Sequence, residues 1–395
     1  TITSTTNIPD LLEYLYRTYP GNGKEIFIDV MDKLLAPAEE VVLDSHDELL
    51  GVLEEMAKTQ RRRDQVKRLL AQPQPVQRSQ EWYEIRQGML TASSDIGSIT
   101  GDSYDHKGTS RVKGMTPDMI KDMTVLKKLG HSIRPYTSSN ATRWGNMLEE
   151  VANRVYMSKT ASTVLEFGLL RHETIPFVGA SPDGITTDGI MLEIKCPVSR
   201  KVDGHVPRYY WSQIQTQLQV CNLQSCDFAD FKFVEHAVPD ELGAQYEYTV
   251  AVGELYVCSC QDEMETQCPC FEDPDNRAYV YADVGAAIHS QERQLKEAYE
   301  QKYIATHVFH KIRYFGMEKC CITRVERDDS WWNEHLPAIH ALWDRVLAYR
   351  QDSSGVPELL EATMKEYKRL SQKGPNASSI TWGSGGTGTK RQWVQ

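Results

Sequence analysis

The feature that most constrains this chain is a short segment in which two carboxylates flank a tight turn. It begins with Ser181-Pro182-Asp183-Gly184 and, nine residues after the glycine, continues as Glu193-Ile194-Lys195-Cys196-Pro197. The Asp-, Thr- and Gly-rich residues 185–189 and the apolar run at 190–194 predict a β-hairpin. Alternation along the second strand places Glu193 and Lys195 on one face. The sequence therefore predicts two carboxylates and a lysine around one site.

A surface hairpin, with Glu193 and Lys195 as a solvated pair, would give the same pattern. Two features favour a site instead. The pair lies within an apolar run, where unpaired charges are costly, and Pro182 and Pro197 restrict the backbone at both ends. Asp183 and Glu193 can hold a hard divalent cation, which prefers carboxylate, water and phosphate oxygens. Lys195 can then orient or deprotonate an attacking water, or neutralise charge that develops on a phosphate.

Four sequence blocks occur in a fixed order around this hairpin. They are R-S-Q-E-W-Y-E-I-R-Q-G-M-L-T-A-S at 78–93, W-G-N-M-L-E at 144–149, the hairpin itself, and Y-Y-W-S-Q-I-Q-T-Q-L-Q-V at 209–220. Together they resemble the phage lambda exonuclease and YqaJ-type viral recombinase family of the PD-(D/E)XK nucleases. A weaker similarity to the closing strand and helix of that family returns at 322–347.

The resemblance implies an α/β fold with a restriction-endonuclease-like core, in which helices flank a central mixed sheet. Helical patterns upstream add a helical N-terminal extension. We predict a helical module at 1–70, a proline-spaced linker at 71–77, and a nuclease domain at 78–350. Residues from about 240 to 305 exceed the family pattern and are predicted to be an insertion. The Gly-rich residues 374–395 are predicted to be a disordered tail.

The resemblance also implies roles for individual residues. Metal ligands would be Asp183, Glu193, the Ile194 carbonyl and Glu149, holding Mg²⁺, for which Mn²⁺ can substitute. Lys195 would be the catalytic lysine and Gln213 would lie near the reacting water. Arg86, Ser93 and Ser181 would hold the 5′-phosphate of a DNA end, with Gln215 as a further substrate contact. A guanidinium and two hydroxyls suit a phosphate. Singly, these residues also have ordinary explanations as helix-surface or N-cap positions.

The implied activity is that of a metal-dependent exodeoxyribonuclease in DNA recombination or repair. It would degrade linear double-stranded DNA from 5′ to 3′ and release 5′-mononucleotides. The remaining 3′ overhang would pass to a single-strand-annealing protein, and the family also implies a homo-oligomer. Two alternatives stay open: a structure-specific or restriction-like endonuclease of the same fold, and a non-catalytic module that binds DNA or protein.

Composition constrains the partners and the compartment. The net charge of −11 opposes tight DNA binding, because phosphate contacts come from Lys and Arg. Local basic clusters, such as Arg61-Arg62-Arg63, offset this in part. The chain contains neither a secretory signal pattern nor an apolar run of the roughly eighteen residues that a membrane span requires. We therefore expect an intracellular protein, in the cytoplasm or nucleus, that is neither secreted nor bound to a membrane.

The nine cysteines are an odd number, which favours free thiols in a chain of this kind. Two C-x-C pairs, Cys258/Cys260 and Cys268/Cys270, are separated by seven residues. Four thiolates at a hairpin tip could hold a structural Zn²⁺ ion. Because the spacing departs from the commoner C-x₂-C, free thiols remain the alternative, and an iron–sulfur cluster is a third.

Overall fold

The computed structural model describes residues 46–77, 79–101, 114–133, 139–237, 245–257 and 276–372, with side chains in the first helix from residue 58 onward. These residues fall into two units: a small one within 1–73 and 187–190, and a large one within 74–186 and 191–395. The predicted domain boundaries stay a prediction. None of the helices in the described ranges combines the length and apolar character of a membrane span.

The small unit contains a helix, α1 (His46–Leu70), and the turn Thr187–Ile190. Arg62 Nε donates to the carbonyl oxygen of Asp188 (3.1 Å), and Arg63 forms an ion pair with the Asp188 carboxylate (2.8 Å). Gly189 has a φ of +77°, and a Cβ at this position would lie 2.6 Å from Arg62 Cβ. Glycine is therefore required both by the left-handed backbone and by the close approach of the helix.

Eight helices belong to the described part of the large unit. They are α2 (Gln80–Gln87), α3 (Gly97–Thr100), α4 (Pro117–Lys128), α5 (Asn140–Thr160), α6 (Arg208–Cys221), α7 (Ile288–Lys302), α8 (Asp329–Gln351) and α9 (Val356–Ser371). A π-helical turn, Ala92–Ile96, leads directly into α3. Several helix starts are fixed by side-chain N-caps, including Ser79 before α2 and Asp328 before α8.

The strands form two sheets. They are β1 (Leu90–Thr91), β2 (Val164–Leu165), β3 (Leu170–Arg171), β4 (Val178–Ala180), β5 (Gly184–Thr186), β6 (Met191–Lys195), β7 (Ser225–His236), β8 (Thr249–Val257), β9 (Arg277–Tyr281) and β10 (His307–Glu326). A small sheet has the order β1-β4-β3, and the large sheet has the order β2-β5-β6-β7-β10-β8-β9. Within the large sheet β6 and β7 are parallel and the other pairs antiparallel. The predicted α/β fold, a central mixed sheet with flanking helices, is confirmed.

The main core lies between α5 and one face of the large sheet. Buried residues of α5, including Leu148 and Val151, pack with Leu192 and Ile194 of β6 and with Phe231 of β7. Because side chains alternate along a strand, the residues between them on β6 are directed to the other face. The packing of α5 therefore decides which face of the sheet carries Glu193 and Lys195.

The predicted insertion adds to the large sheet where the structure describes it. Strand β8 pairs with the first half of β10, and β9 pairs with β8. On α7, Leu295 is fully buried among Ala251, Leu255 and Val280 of these strands. The apolar face of α7 thus stabilises the two added strands.

Candidate active site

The hairpin predicted from the sequence is formed by β5 and β6. Gly184 is the register partner of Leu192, so Asp183 lies directly before β5 and opposite Glu193 of β6. The Asp183 carboxylate accepts a hydrogen bond from the backbone N–H of Ile194 (2.7 Å). A Cβ on Gly184 would lie 2.3 Å from Val164 of β2, so a side chain here would push that strand away. The S-P-D-G motif thus places a carboxylate beside the second strand.

Glu193 is fully buried, and its carboxylate accepts three side-chain hydrogen bonds. Oε1 accepts from the ammonium of Lys195 and from Nε2 of Gln213 (2.7 Å). Oε2 accepts from Nε2 of Gln217 (2.8 Å). A buried ionised carboxylate is tolerated when such donors surround it. The structure therefore brings Lys195 and Gln213 to Glu193.

The two glutamines that bind Glu193 lie four residues apart on α6 and share one face of that helix. Gln217 was missing from the predicted site, although its spacing from Gln213 was the signal that could have identified it. Gln215, a predicted substrate contact, is not brought to this cluster. Its Nε2 donates to the Glu326 carbonyl (2.8 Å) and its Oε1 accepts from the Asp328 N–H (2.7 Å). Fully buried, it fixes the start of α8.

Negative charge accumulates around Asp183. Burial, and then the neighbouring charges of Glu193 and Glu149, raise the pKa of Asp183 well above its usual range, while Lys195 opposes the rise. Burial lowers the pKa of Lys195, but the carboxylates of Glu193 and Asp183 outweigh this and raise it above its usual range. The structure thus places Glu193, Glu149 and Lys195 within electrostatic reach of Asp183.

The donor set of this cluster fits a hard divalent cation. Asp183 and Glu149 line the same cavity as Ile194, and all the donors predicted here are oxygens. Burial and the repulsion from neighbouring carboxylates raise the pKa of Asp183, and a bound cation would offset both effects. Within the described ranges, no three His, Cys, Asp or Glu side chains converge as a ready-made metal site. The metal ion itself therefore stays a prediction.

The cavity beside Asp183 has a volume of about 510 Å³. One wall is the segment 74–77, which lies in the range predicted to be a linker. Gln77 Nε2 donates to the carbonyls of Phe167 (2.9 Å) and Pro182 (3.3 Å), and Gln74 accepts from the Gly168 N–H (2.6 Å). These contacts attach the segment to the loop before β3 and to the residue that precedes Asp183. No pattern in the sequence indicated this wall of the cavity.

Two of the three predicted phosphate-binding residues are connected through Trp82. The guanidinium of Arg86 lies 4.1 Å from the Trp82 ring centre, and Trp82 Nε1 donates to Ser181 Oγ (3.1 Å). Arg86 also donates to Thr91 Oγ1 (3.4 Å), at the start of the π-helical turn that carries Ser93. Ser93 is exposed on this turn. Since Ser181 is two residues before Asp183, it connects this group of residues to the carboxylate cluster.

Next to Thr91 lies a buried carboxylate, Asp95, that was not predicted from the sequence. Its Oδ2 accepts from the N–H (2.8 Å) and hydroxyl (2.7 Å) of Thr91 and pairs with Lys128 (2.7 Å). Burial alone would raise the pKa of Asp95, but Lys128 and Lys127 hold it far below its usual range. Lys128 in turn donates to the carbonyl of Arg86 (2.9 Å). The buried pair therefore fixes the backbone that carries Arg86.

The four cysteines of the predicted zinc site, Cys258, Cys260, Cys268 and Cys270, lie outside the described residues. The zinc site stays a prediction. The cysteines in the described ranges are in the thiol form: Cys196, Cys221, Cys226, Cys320 and Cys321.

Comparison with known proteins bears on the family. Residues 81–224 match the family described as the YqaJ-like viral recombinase domain. Over 394 residues the chain is 26% identical to Uncharacterized protein R354 of Acanthamoeba polyphaga mimivirus. This match covers 89% of this chain and 67% of that protein. An alkaline exonuclease (LHK-Exo) from Laribacter hongkongensis is 20% identical, with a TM-score of 0.37 over 75% of this chain and 99% of the other. A phage related exonuclease from Haemophilus somnus 129PT is 13% identical, with a TM-score of 0.32 over 71% and 94% of the two chains. The resemblance predicted from the four sequence blocks is confirmed: residues 81–224 of this chain match the model of the YqaJ-like viral recombinase domain.

Proposed function

We propose that this chain is a metal-dependent exodeoxyribonuclease that degrades linear double-stranded DNA from its 5′ end and releases 5′-mononucleotides. The observation that carries the proposal is the convergence of Asp183, Glu193 and Lys195 close to Ser181, a residue of the proposed 5′-phosphate pocket that also includes Arg86 and Ser93. Ser181 belongs to that pocket and is two residues from Asp183, which a chain spans in about 7 Å at most. This separation is on the order of one nucleotide, so an end held in the pocket would present the next phosphodiester to the carboxylates.

The chain's own residues would position the reacting groups. The Lys195 ammonium is held by Glu193 and lies 4.9 Å from the ring centre of Tyr210. A cation fixed in this way can stabilise charge that develops on the scissile phosphate without reorganising. Gln213 orients the Glu193 carboxylate and can hold a water molecule for attack. Mg²⁺ or Mn²⁺, held by Asp183, Glu193, Glu149 and the Ile194 carbonyl, would supply Lewis-acid stabilisation of the phosphate.

The wider biological setting extends the same proposal. Degradation of one strand leaves a 3′ overhang, which is the substrate of a single-strand-annealing protein, and we propose such a protein as the partner. A homo-oligomer that encloses DNA would explain how a chain with a net charge of −11 stays on its substrate. An intracellular site of action, where DNA recombination or repair takes place, belongs to this proposal as well.

The proposal is tested with end-labelled linear duplex in Mg²⁺, Mn²⁺, Ca²⁺ or EDTA. We expect mononucleotides with Mg²⁺ or Mn²⁺, and no hydrolysis with EDTA or with Ca²⁺, whose looser coordination positions ligands less strictly. A 5′-phosphorylated duplex should be degraded faster than the same duplex with a 5′-hydroxyl, and Arg86→Ala should remove the difference. Efficient cleavage of closed circular DNA would instead favour an endonuclease.

Gln217 offers a test of how Glu193 is held. Replacing Gln217 by leucine removes the donor to Glu193 Oε2, and we expect a roughly 10- to 100-fold loss of hydrolysis, as for other partners of metal-binding side chains. Gln219→Leu is the matched control, because Gln219 lies on the same helix and donates to Asp329 (2.6 Å). Equal losses in the two variants, measured as kcat/KM on linear duplex, would assign the effect to α6 as a whole.

A further inference from the structure

Lys127 is the penultimate residue of α4. It contacts Asp95, although the charge of Asp95 is already neutralised by another lysine. Its ammonium donates to Ser94 Oγ (3.0 Å) and to Asp95 Oδ1 (3.1 Å). Asp95 already has a buried partner, because Lys128 pairs with its other oxygen at 2.7 Å with only 3% of the Lys128 side chain exposed. The Lys127 side chain is 52% exposed. Lys127 is therefore a second, accessible cation at this carboxylate.

Two hydroxyl groups connect Lys127 to Arg86. Ser94 Oγ and Thr91 Oγ1 are 2.9 Å apart and share a hydrogen bond. Thr91 Oγ1 also accepts from Arg86 (3.4 Å), and Ser94 Oγ accepts from Lys127. The ammonium and the guanidinium thus lie at the two ends of one short chain of hydrogen bonds. Both ends carry the donor types that bind phosphate oxygens.

The charges of this network do not cancel. Among the described side chains that these contacts join, three cations, Arg86, Lys127 and Lys128, surround one carboxylate, Asp95, which leaves an excess of two positive charges within this group. Arg350 increases the excess, since it donates to the carbonyl of Lys128 (3.0 Å). A terminal phosphate monoester carries a charge of about −1.5 to −2 at neutral pH, whereas a phosphodiester within a strand carries one negative charge. The excess therefore matches the end of a strand better than its interior.

We infer that Lys127 binds the 5′-terminal phosphate together with Arg86 and determines the preference for phosphorylated ends. The inference rests on the proposed function, because it places the phosphate one nucleotide from the carboxylate cluster. Asp95 and Lys128 act as positioning residues: one holds Lys127 and the other holds the backbone of Arg86. The ordinary alternative is that Lys127 is a solvated lysine at the end of a helix.

The inference is tested by binding in EDTA, where hydrolysis does not interfere. Fluorescence anisotropy would compare two labelled duplexes that differ only in a 5′-phosphate or a 5′-hydroxyl. Wild type should prefer the phosphorylated end. Lys127→Gln should reduce that preference roughly tenfold, because the variant loses one charge-assisted hydrogen bond to the phosphate. Affinity for the hydroxyl end should stay unchanged. Lys127→Arg should keep most of the preference.

Lys121→Gln is the matched control, because Lys121 is on the same helix and forms a long ion pair with Asp118 (3.9 Å). It should bind both ends as wild type does. An unchanged phosphate preference in Lys127→Gln, or an equal loss on both ends, would overturn the inference, and so would a wild type without preference. Hydrolysis is scored separately. If wild type prefers the phosphorylated end and Lys127→Gln loses that preference, but no hydrolysis occurs, the role of Lys127 is supported and the proposed nuclease activity is contradicted. If DNA is hydrolysed but Lys127→Gln keeps the full preference, the nuclease activity is supported and the role of Lys127 is contradicted.

Discussion

Replacing Lys195 by alanine is expected to slow hydrolysis of linear duplex by about 10²- to 10⁴-fold, the range that positioned catalytic groups contribute. Affinity for the DNA end should change little, because the basic pocket around Arg86 is intact in this variant. The physical reason is the position of the ammonium, which Glu193 holds beside the carboxylate cluster. The measurement is single-turnover release of nucleotides in Mg²⁺, together with duplex affinity in EDTA.

Two further variants make this result specific. Lys195→Gln keeps a hydrogen-bond donor for the buried Glu193 and should be as inactive as the alanine variant, which separates loss of the charge from loss of folding. Lys296→Ala, at a side chain that is 76% exposed on α7, should be fully active. Near-normal hydrolysis by Lys195→Ala would remove the catalytic role of this lysine.

Asp183→Asn is expected to abolish both hydrolysis and stabilisation by divalent metal. Because the pKa of Asp183 is higher in the folded chain than in the unfolded chain, stability from this group is present at low pH and is lost as pH rises through the folded pKa. At neutral pH without metal, the variant should therefore unfold at the same temperature as wild type or above it. Binding of Mg²⁺ or Mn²⁺ should raise the midpoint temperature of wild-type unfolding. At a metal concentration a hundredfold above Kd, the free energy of unfolding should increase by about 2.7 kcal/mol.

Thermal unfolding with EDTA or excess metal measures both effects in one experiment. Asp118→Asn, at a side chain that is 93% exposed, is the control and should respond to metal as wild type does. Full activity of Asp183→Asn, or hydrolysis that EDTA does not diminish, would show that the hairpin is not the catalytic centre. An equal rise of the midpoint in wild type and Asp183→Asn would place the metal elsewhere.

The features that the sequence predicted correctly are local ones. The turn residues and the alternation of β6 predicted the hairpin, because both depend on backbone preferences within a few residues. The same reasoning placed Glu193 and Lys195 on one face, and helical periodicity placed Gln213 on a helix. The family followed from four short blocks whose order is read directly from the chain.

Other features depend on how elements dock. The glutamines at 213, 215 and 217 are equivalent in the sequence, and the rotation of α6 against β6 decides that the first and third reach Glu193. Asp95 pairs with Lys128, which is 33 residues away, and the wall at 74–77 contacts residues about 90 positions later. These contacts join residues that are far apart in the sequence, so a local sequence pattern cannot predict them.

The sequence by itself thus determined the family, the hairpin and the chemical types gathered at its two strands. Only the tertiary structure decided which polar side chains complete the carboxylate cluster and which lie around Arg86. The physical reason is that turn geometry and strand alternation repeat over a few residues. The orientation of one helix against a sheet is instead fixed by the packing of many distant side chains at once.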